Sequence, residues 1–465
     1  METEKMNTNR LTKAALVVAA ALFMQMLDST IVTTALPVIG RDLSVSQSTA
    51  SLLISAYMLA AATFIPLSGW LARRLPRKRL FLWAVALFTL SSVLGGLVNN
   101  LPLLLGMRVL QGVAGALMVP VGRLIILENT ESKDLLRMLS YLVWPALIAP
   151  AIAPLLGGYI ISYLTWHWIF FLNLPIGLGI ILFGHRVIQD FSKTEKVDFD
   201  LPGFILVGLS VLALLISSDL LGDGIEMLPW GSALLLVAIA VGYFAVRHLR
   251  RASEPLFSLA ALKVPTFRVY QSGGSIFWMT IGALPYMMTL LLQVVFSWSA
   301  VTAGTYVIFI FLGNLAIKPF TTPIIERTGY RLAIVIGLVL ATSSTVAFAF
   351  MTPETMKWWI ATVAFVSGVG RSLCLTSYNT LSFADLDREE KNSANTFQSV
   401  VQMLAQGLGV GVAAMIVAIL QQYFSTAAAY KGTFILLALI SIYPLAEILT
   451  LPKDAGAQTL HHKGE

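Results

Sequence analysis

Apolar positions along this chain come in unbroken runs of about twenty residues, not in the stripes of a soluble amphipathic helix. Such runs lie near 14–36, 48–70, 80–98, 101–123, 136–160, 166–186, 201–219, 230–247, 268–293, 301–321, 332–351, 358–383, 395–420 and 430–450. A helix of about twenty residues crosses a hydrocarbon layer about 30 Å thick. The pattern therefore predicts an all-α polytopic membrane protein with fourteen transmembrane helices. Most joints are short and polar. The longest, 187–200 and 248–267, are charged and fall on the same side. They leave no room for a soluble domain, so the spans are expected to be the functional body.

Composition agrees with that picture. Hydrophobic residues make up 57% of the 465 and charged residues 12%, about half the charge of an average soluble domain. The single Cys374 excludes an internal disulfide framework and a cysteine-built metal cluster. The first apolar run is too long for a cleavable signal peptide and lacks a convincing cleavage site.

Charge placement sets the orientation. The stretch "GWLARRLPRKR" (69–79) gathers Arg73, Arg74, Arg77, Lys78 and Arg79 around Pro76 with no carboxylate. Loops on this side of the predicted spans hold twenty-four Lys and Arg against three on the other. Positive loops stay inside, so this side and both termini are expected to be cytoplasmic. The net charge of +7 then requires no nucleic-acid partner. A weak repeat joins "GWLARRLPRKR" to "TPIIERTGYR" (322–331), each placing spaced basic residues on a turn that leaves a helix. Six spans precede the pair covering 201–247 and six follow it. That arrangement suits a rocking transporter with its site near the midplane.

Charges inside spans are the sharpest pointers, because an ion at mid-bilayer costs at least ~2.5 kcal/mol. Asp28 and Arg108 lie fourteen and fifteen residues from the inner ends of their spans, a matching depth of about 21–22 Å. At that depth they can form an ion pair if both face the cavity. Arg371 is also near mid-membrane. Arg123, Lys318 and Glu447 are placed near inner helix ends, from which a long side chain can reach water. Pro145, Pro150 and Pro154 bend the fifth span, and Gly157 and Gly158 let a neighbour approach closely. His167, His185, His248, His461 and His462 are scattered, and no HExxH or paired-carboxylate motif occurs. A membrane enzyme is not expected.

Four stretches carry a family resemblance. "LDSTIVTTALP" (27–37), "GWLARRLPRKR" (69–79), "RVLQGVAGALMVP" (108–120) and "APAIAPLLGG" (149–158) with "WHWIFFLNLPIG" (166–177) resemble the major facilitator superfamily, in its fourteen-helix drug–proton antiporter branch. The resemblance implies two six-helix bundles (1–186 and 264–465, the latter with a cytoplasmic tail) around a two-helix insertion (187–263). It implies a monomeric exporter of small amphipathic molecules in the bacterial inner membrane, with no cofactor beyond a proton gradient. Export or uptake of a specific metabolite, such as an organic anion, is the alternative. Asp28 and Arg108 would couple protons; Asp28, Arg371, Trp144, Trp278 and Tyr286 would line the cavity. Arg73, Arg74, Arg77, Pro150, Pro154, Gly157, Gly158, Glu326 and Arg327 would form the conformational switch. The chain departs from the family loop in carrying Arg73 where an acid is usual and Pro76 where Gly is usual. Asp134, Glu195 and Glu326 are the replacement acids expected from their side of the membrane. Span five likewise carries Ala149 and Ala153 in place of Gly.

Burial favours a protonated Asp28 and a neighbouring Arg favours an ionised one. Withdrawing and restoring Arg108 would therefore act as a proton switch. With one mid-membrane carboxylate against two arginines, neutral, zwitterionic, anionic or at most monocationic substrates are expected, and dications are not.

Overall fold

The computed structural model describes residues 8–45, 47–131, 134–189, 194–222, 225–387 and 389–460. All regular elements among them are helical. In chain order these are α1 (Thr8–Asp42), α2 (Gln47–Arg74), α3 (Arg77–Gly95), α4 (Leu101–Asn129), α5 (Leu135–Tyr163), α6 (His167–Phe171), α7 (Asn173–Val187), α8 (Leu201–Gly222) and α9 (Leu228–Leu249). Then follow α10 (Pro265–Val269), α11 (Ser275–Leu290), α12 (Ala300–Ala316), α13 (Lys318–Ala349), α14 (Lys357–Ala384), α15 (Lys391–Leu420), α16 (Thr426–Ile440) and α17 (Ile442–Ile448).

Twelve helical spans among the described residues are long and apolar enough to cross a membrane. Two of the fourteen predicted runs fall outside that twelve. One is α5, part of whose side chains lies outside the described residues; the other is α12, at 17 residues. The joint expected at 322–331 is also helical up to Gly329, where φ of 76° and ψ of 164° turn the chain. Glycine alone adopts that region without strain, so the turn sits on this residue and α13 is two helical pieces.

Capping and breaking residues explain several boundaries. The Asn100 side chain accepts from Leu103 N at 3.0 Å and starts α4, with Pro102 in its first turn. Ser299 and Ser425 cap α12 and α16 in the same way. Pro76 separates α2 from α3.

The chain divides into two compact units. Unit 1 comprises Met1–Gly208, Ala245–Leu259 and Arg388–Val400; unit 2 comprises Leu209–Phe244, Ala260–Asp387 and Val401–Glu465. In unit 1, α1 packs on α5, and α4 packs on both α2 and α3. An apolar core built on Leu27, Ile31, Val32, Ala153, Ile169 and Phe170 holds them. In unit 2, α14 packs against α12 and α13 around Met287, Ile310, Phe348 and Phe434.

The linkers of unit 1 are tied by polar contacts. Asp200 accepts from Gly203 N (2.9 Å), capping α8, and from Leu256 N (3.0 Å). It also meets His248 Nε2 at 2.7 Å. The strap at 194–200 lies on the end of α2 through its main chain. Trp70 Nε1 donates to Val197 O (3.2 Å), and Glu195 N donates to Arg73 O (2.9 Å).

Candidate functional site

In unit 1 the motif "RVLQGVAGALMVP" positions a buried charge. A Cβ at Gly112 would stand 2.5 Å from Tyr57 O, so α4 lies backbone to backbone on α2. One turn earlier, Arg108 thereby reaches Leu53 O through Nε (3.1 Å). Its Nη1 donates to Asp28 Oδ2 on α1 at 2.5 Å and to Gln111 Oε1 at 2.9 Å. The guanidinium lies over the Tyr57 ring, 4.6 Å from its centroid. Asp28 is 1% exposed and Arg108 0%. The pairing that matching depth allows is present, fully withdrawn from solvent.

Two neutral residues complete the shell of Asp28. Gln111 Nε2 and Asn173 Nδ2 donate to Oδ1 at 3.2 and 2.8 Å. Asn173 is delivered by a helix break. Pro175 carries no N–H for the Phe171 carbonyl, and the run divides into α6 and α7 at Leu172, with Asn173 opening the second piece. Asn173 Nδ2 also donates to Ser92 Oγ on α3 (2.8 Å), and Ser92 donates to Phe170 O (2.9 Å). One turn on, a Cβ at Gly177 would sit 2.0 Å from Thr89 Oγ1. The "NLPIG" portion of the family-like segment thus has a physical account: a donor, a break and a close contact. Sequence reading missed Gln111, Asn173 and Ser92, because they are neutral and the pointers within the spans were charges.

Unit 2 buries charge differently. Arg371 on α14 is 5% exposed. Its Nη2 donates to Ile281 O (2.5 Å), while Nη1 is buried without a partner among the described residues. Lys318 is 3% exposed, and its ammonium donates to Thr376 Oγ1 at 2.5 Å. This corrects the expectation that Lys318 reaches water from a helix end. The helix continues to Thr328 before turning at Gly329, which leaves Lys318 about 15 Å along it. Trp278 is buried and donates from Nε1 to Tyr270 OH (2.8 Å), so it is held and not free to adapt. Tyr286 is half-buried against the unit 2 core. Glu447 Oε1 accepts from Ser272 Oγ at 2.5 Å.

The expected switch residues are distributed over both units. Arg77 pairs with Glu128, in the last turn of α4. One acid that meets this loop is therefore Glu128, a residue outside the expected set of Asp134, Glu195 and Glu326. Span four was read as ending at 123, whereas the helix runs to Asn129 and carries Glu128 to the loop. Glu195 meets the loop through its backbone N–H. Arg73 Nη2 donates to Pro255 O and Arg74 Nη1 to Val197 O, both at 3.4 Å. In unit 2, Glu326 is half-buried and Arg327 exposed, just before Gly329. Pro150 lies half-buried within α5. A Cβ at Gly157 would meet Ile31 and Thr34 at 3.1–3.3 Å, but one at Gly158 would meet nothing within 4 Å. Gly157 alone of the two supports close packing with α1. The side chains of Trp144 and Pro154 lie outside the described residues.

The chain as a whole is similar to known proteins. A Citrobacter koseri protein that carries the name multidrug resistance protein MdtD is 32% identical over 451 residues, covering 94% of each chain. Transport protein HsrA of Haemophilus influenzae is 31% identical over 447 residues, covering 95% of this chain and 96% of its own. Among solved structures, the human organic anion transporter MFSD10 superposes with a TM-score of 0.73 at 15% identity, over 95% of this chain and 100% of its own. The proton:xylose symporter XylE superposes at 0.63 and 12% identity, over 93% and 95%. Residues 18–410 match the model of the Major Facilitator Superfamily, and this multi-pass membrane chain belongs to that family of transporters.

Proposed function

We propose that this protein is a proton-coupled exporter of small amphipathic compounds, of the multidrug efflux kind. It works by alternating access as a monomer in the bacterial inner membrane. The observation that carries the reading is the Asp28–Arg108 pair, a titratable ion pair with neither member exposed. Ionised, the pair is neutral overall. A proton on Asp28 leaves Arg108 as an uncompensated buried cation, which is costly in a low-dielectric interior. The bundle then favours an arrangement in which Arg108 finds other partners or water. Because α1, α4 and α7 meet at Asp28, the proton's arrival biases how these helices pack. Each proton entering supplies ~2.3 kcal/mol per 100 mV, which drives export. The relatives named for multidrug resistance support the substrate class.

The test is proton-driven accumulation of a monocationic dye in inverted vesicles. Asp28→Asn is expected to abolish accumulation while the protein still folds and inserts. Undiminished proton-driven accumulation by D28N would move the coupling elsewhere, with Glu447 as the next acid.

A second reading, transport of a specific organic anion, is favoured by Arg371. Its Nη1 is buried without a partner among the described residues, and a substrate carboxylate would supply the missing charge. Loss of anion transport in Arg371→Gln with dye transport intact would select this reading. On either reading, dicationic compounds are poor substrates.

A further inference from the structure

The hydrogen-bond network around Asp28 fixes which way each amide points. Ser92 spends its one hydroxyl hydrogen on Phe170 O, so only its lone pairs face Asn173. The atom of Asn173 that meets Ser92 Oγ must therefore be the nitrogen, and the same nitrogen meets Asp28 Oδ1. Gln111 is fixed by the same logic. Its Oε1 accepts from Arg108 Nη1, a group that can only donate, which leaves Nε2 for Asp28. Every partner of the carboxylate is thus a donor: Arg108 Nη1 at Oδ2, with Gln111 and Asn173 at Oδ1. Protonation removes the negative charge that these donors meet and so weakens every bond of the shell.

We infer that Asn173 is the positioning residue through which α7 holds Asp28 ionised, so that its donor bond sets the pH at which Asp28 takes up a proton. The inference rests on the proposed reading of Asp28 as the coupling acid. Among the described residues, the titratable or charged groups facing Asp28 are Arg108 from α4 and Tyr57 from α2. From α3 and α7 the cluster receives a neutral hydroxyl and a neutral amide. The Asn173 bond ties α1 to α7, so its weakening on protonation loosens one helix from the other. Asp28 passes its charge state to α7 by this route.

The test is infrared titration of purified protein in liposomes, following the C=O stretch of a protonated carboxyl as pH is lowered. The band that disappears in Asp28→Asn belongs to Asp28. In Asn173→Ala and the near-isosteric Asn173→Leu, the midpoint of that band is expected to rise by about one pH unit. Ser92→Ala leaves Asn173 in place but loosens it, and a smaller rise is expected. It also keeps the inference testable should an Asn173 variant fail to fold. A wild-type midpoint in every folded variant overturns the role of Asn173 while leaving Asp28 as the coupling acid. A titrating band that survives in D28N overturns the reading of Asp28 itself.

Discussion

Two buried arginines in this molecule are held in opposite ways. In unit 1, Arg108 faces a carboxylate, an amide oxygen and a carbonyl, and the carboxylate is in turn surrounded by donors. In unit 2, Arg371 has one carbonyl, and the nearby helices also bury Lys318 with one hydroxyl. Each arginine buries one terminal nitrogen without a partner among the described residues, so the difference lies in the carboxylate. With Asp28, Arg108 is part of the structure that holds α1, α2 and α4 together, whereas Arg371 and Lys318 are cations whose described partners are uncharged. Deletion of a cation should therefore have opposite consequences in the two units.

The largest effect is expected for Arg108→Leu, which strands the Asp28 carboxylate. A loss of about 3–5 kcal/mol in unfolding free energy is predicted, read by denaturant unfolding in detergent at neutral pH. The loss should shrink as pH falls, because a protonated Asp28 needs no cation. The double variant Asp28→Leu with Arg108→Leu should recover most of the stability without recovering transport. Lys318→Met sharpens the contrast from the other side, with a gain of about 1–3 kcal/mol expected in the same assay, because an unmatched buried charge is removed. Equal losses in R108L and K318M would break the comparison.

A smaller pair of effects tests the packing that carries the cluster. Gly177→Ala drives a methyl into Thr89 on the face of α7 that presents Asn173, and about 1–3 kcal/mol of destabilisation is expected. Gly158→Ala has open space and should be neutral or stabilising by about 0.5 kcal/mol. Thermal unfolding of the two variants side by side reads both.

How much of this was legible beforehand depends on the kind of signal each residue gives. Asp28 and Arg108 stand out because an ion in an apolar run is rare and costly, and matching depth made them candidates for a pair. Asn173, Gln111 and Ser92 give no such signal, and only the helix break at Pro175 and the register of α4 bring them to Asp28. Glu128 was passed over and Lys318 misplaced for one shared reason. In each case the helix continues past the end of the apolar run, to Asn129 in α4 and to Thr328 in α13. Hydropathy marks where lipid ends, and hydrogen bonding marks where the helix ends. The apolar run at 301–321 likewise straddles a junction, ending α12 at Ala316 and starting α13 at Lys318.

The strap at 194–200 has a consequence for how this linker tolerates change. Its grip on α2 uses the carbonyl of Val197 and the N–H of Glu195, groups that every residue except proline supplies. The exposed side chain at 195 is therefore free to be exchanged without loosening the strap, whereas Val197 is buried and must stay apolar. The strap's length is not free to change. One residue inserted between Glu195 and Val197 moves the carbonyl that Trp70 and Arg74 both find, and it shifts Asp200 off the start of α8. Over this stretch residue count sets which main-chain group meets α2, while Val197, Phe199 and Asp200 are also read by their side chains.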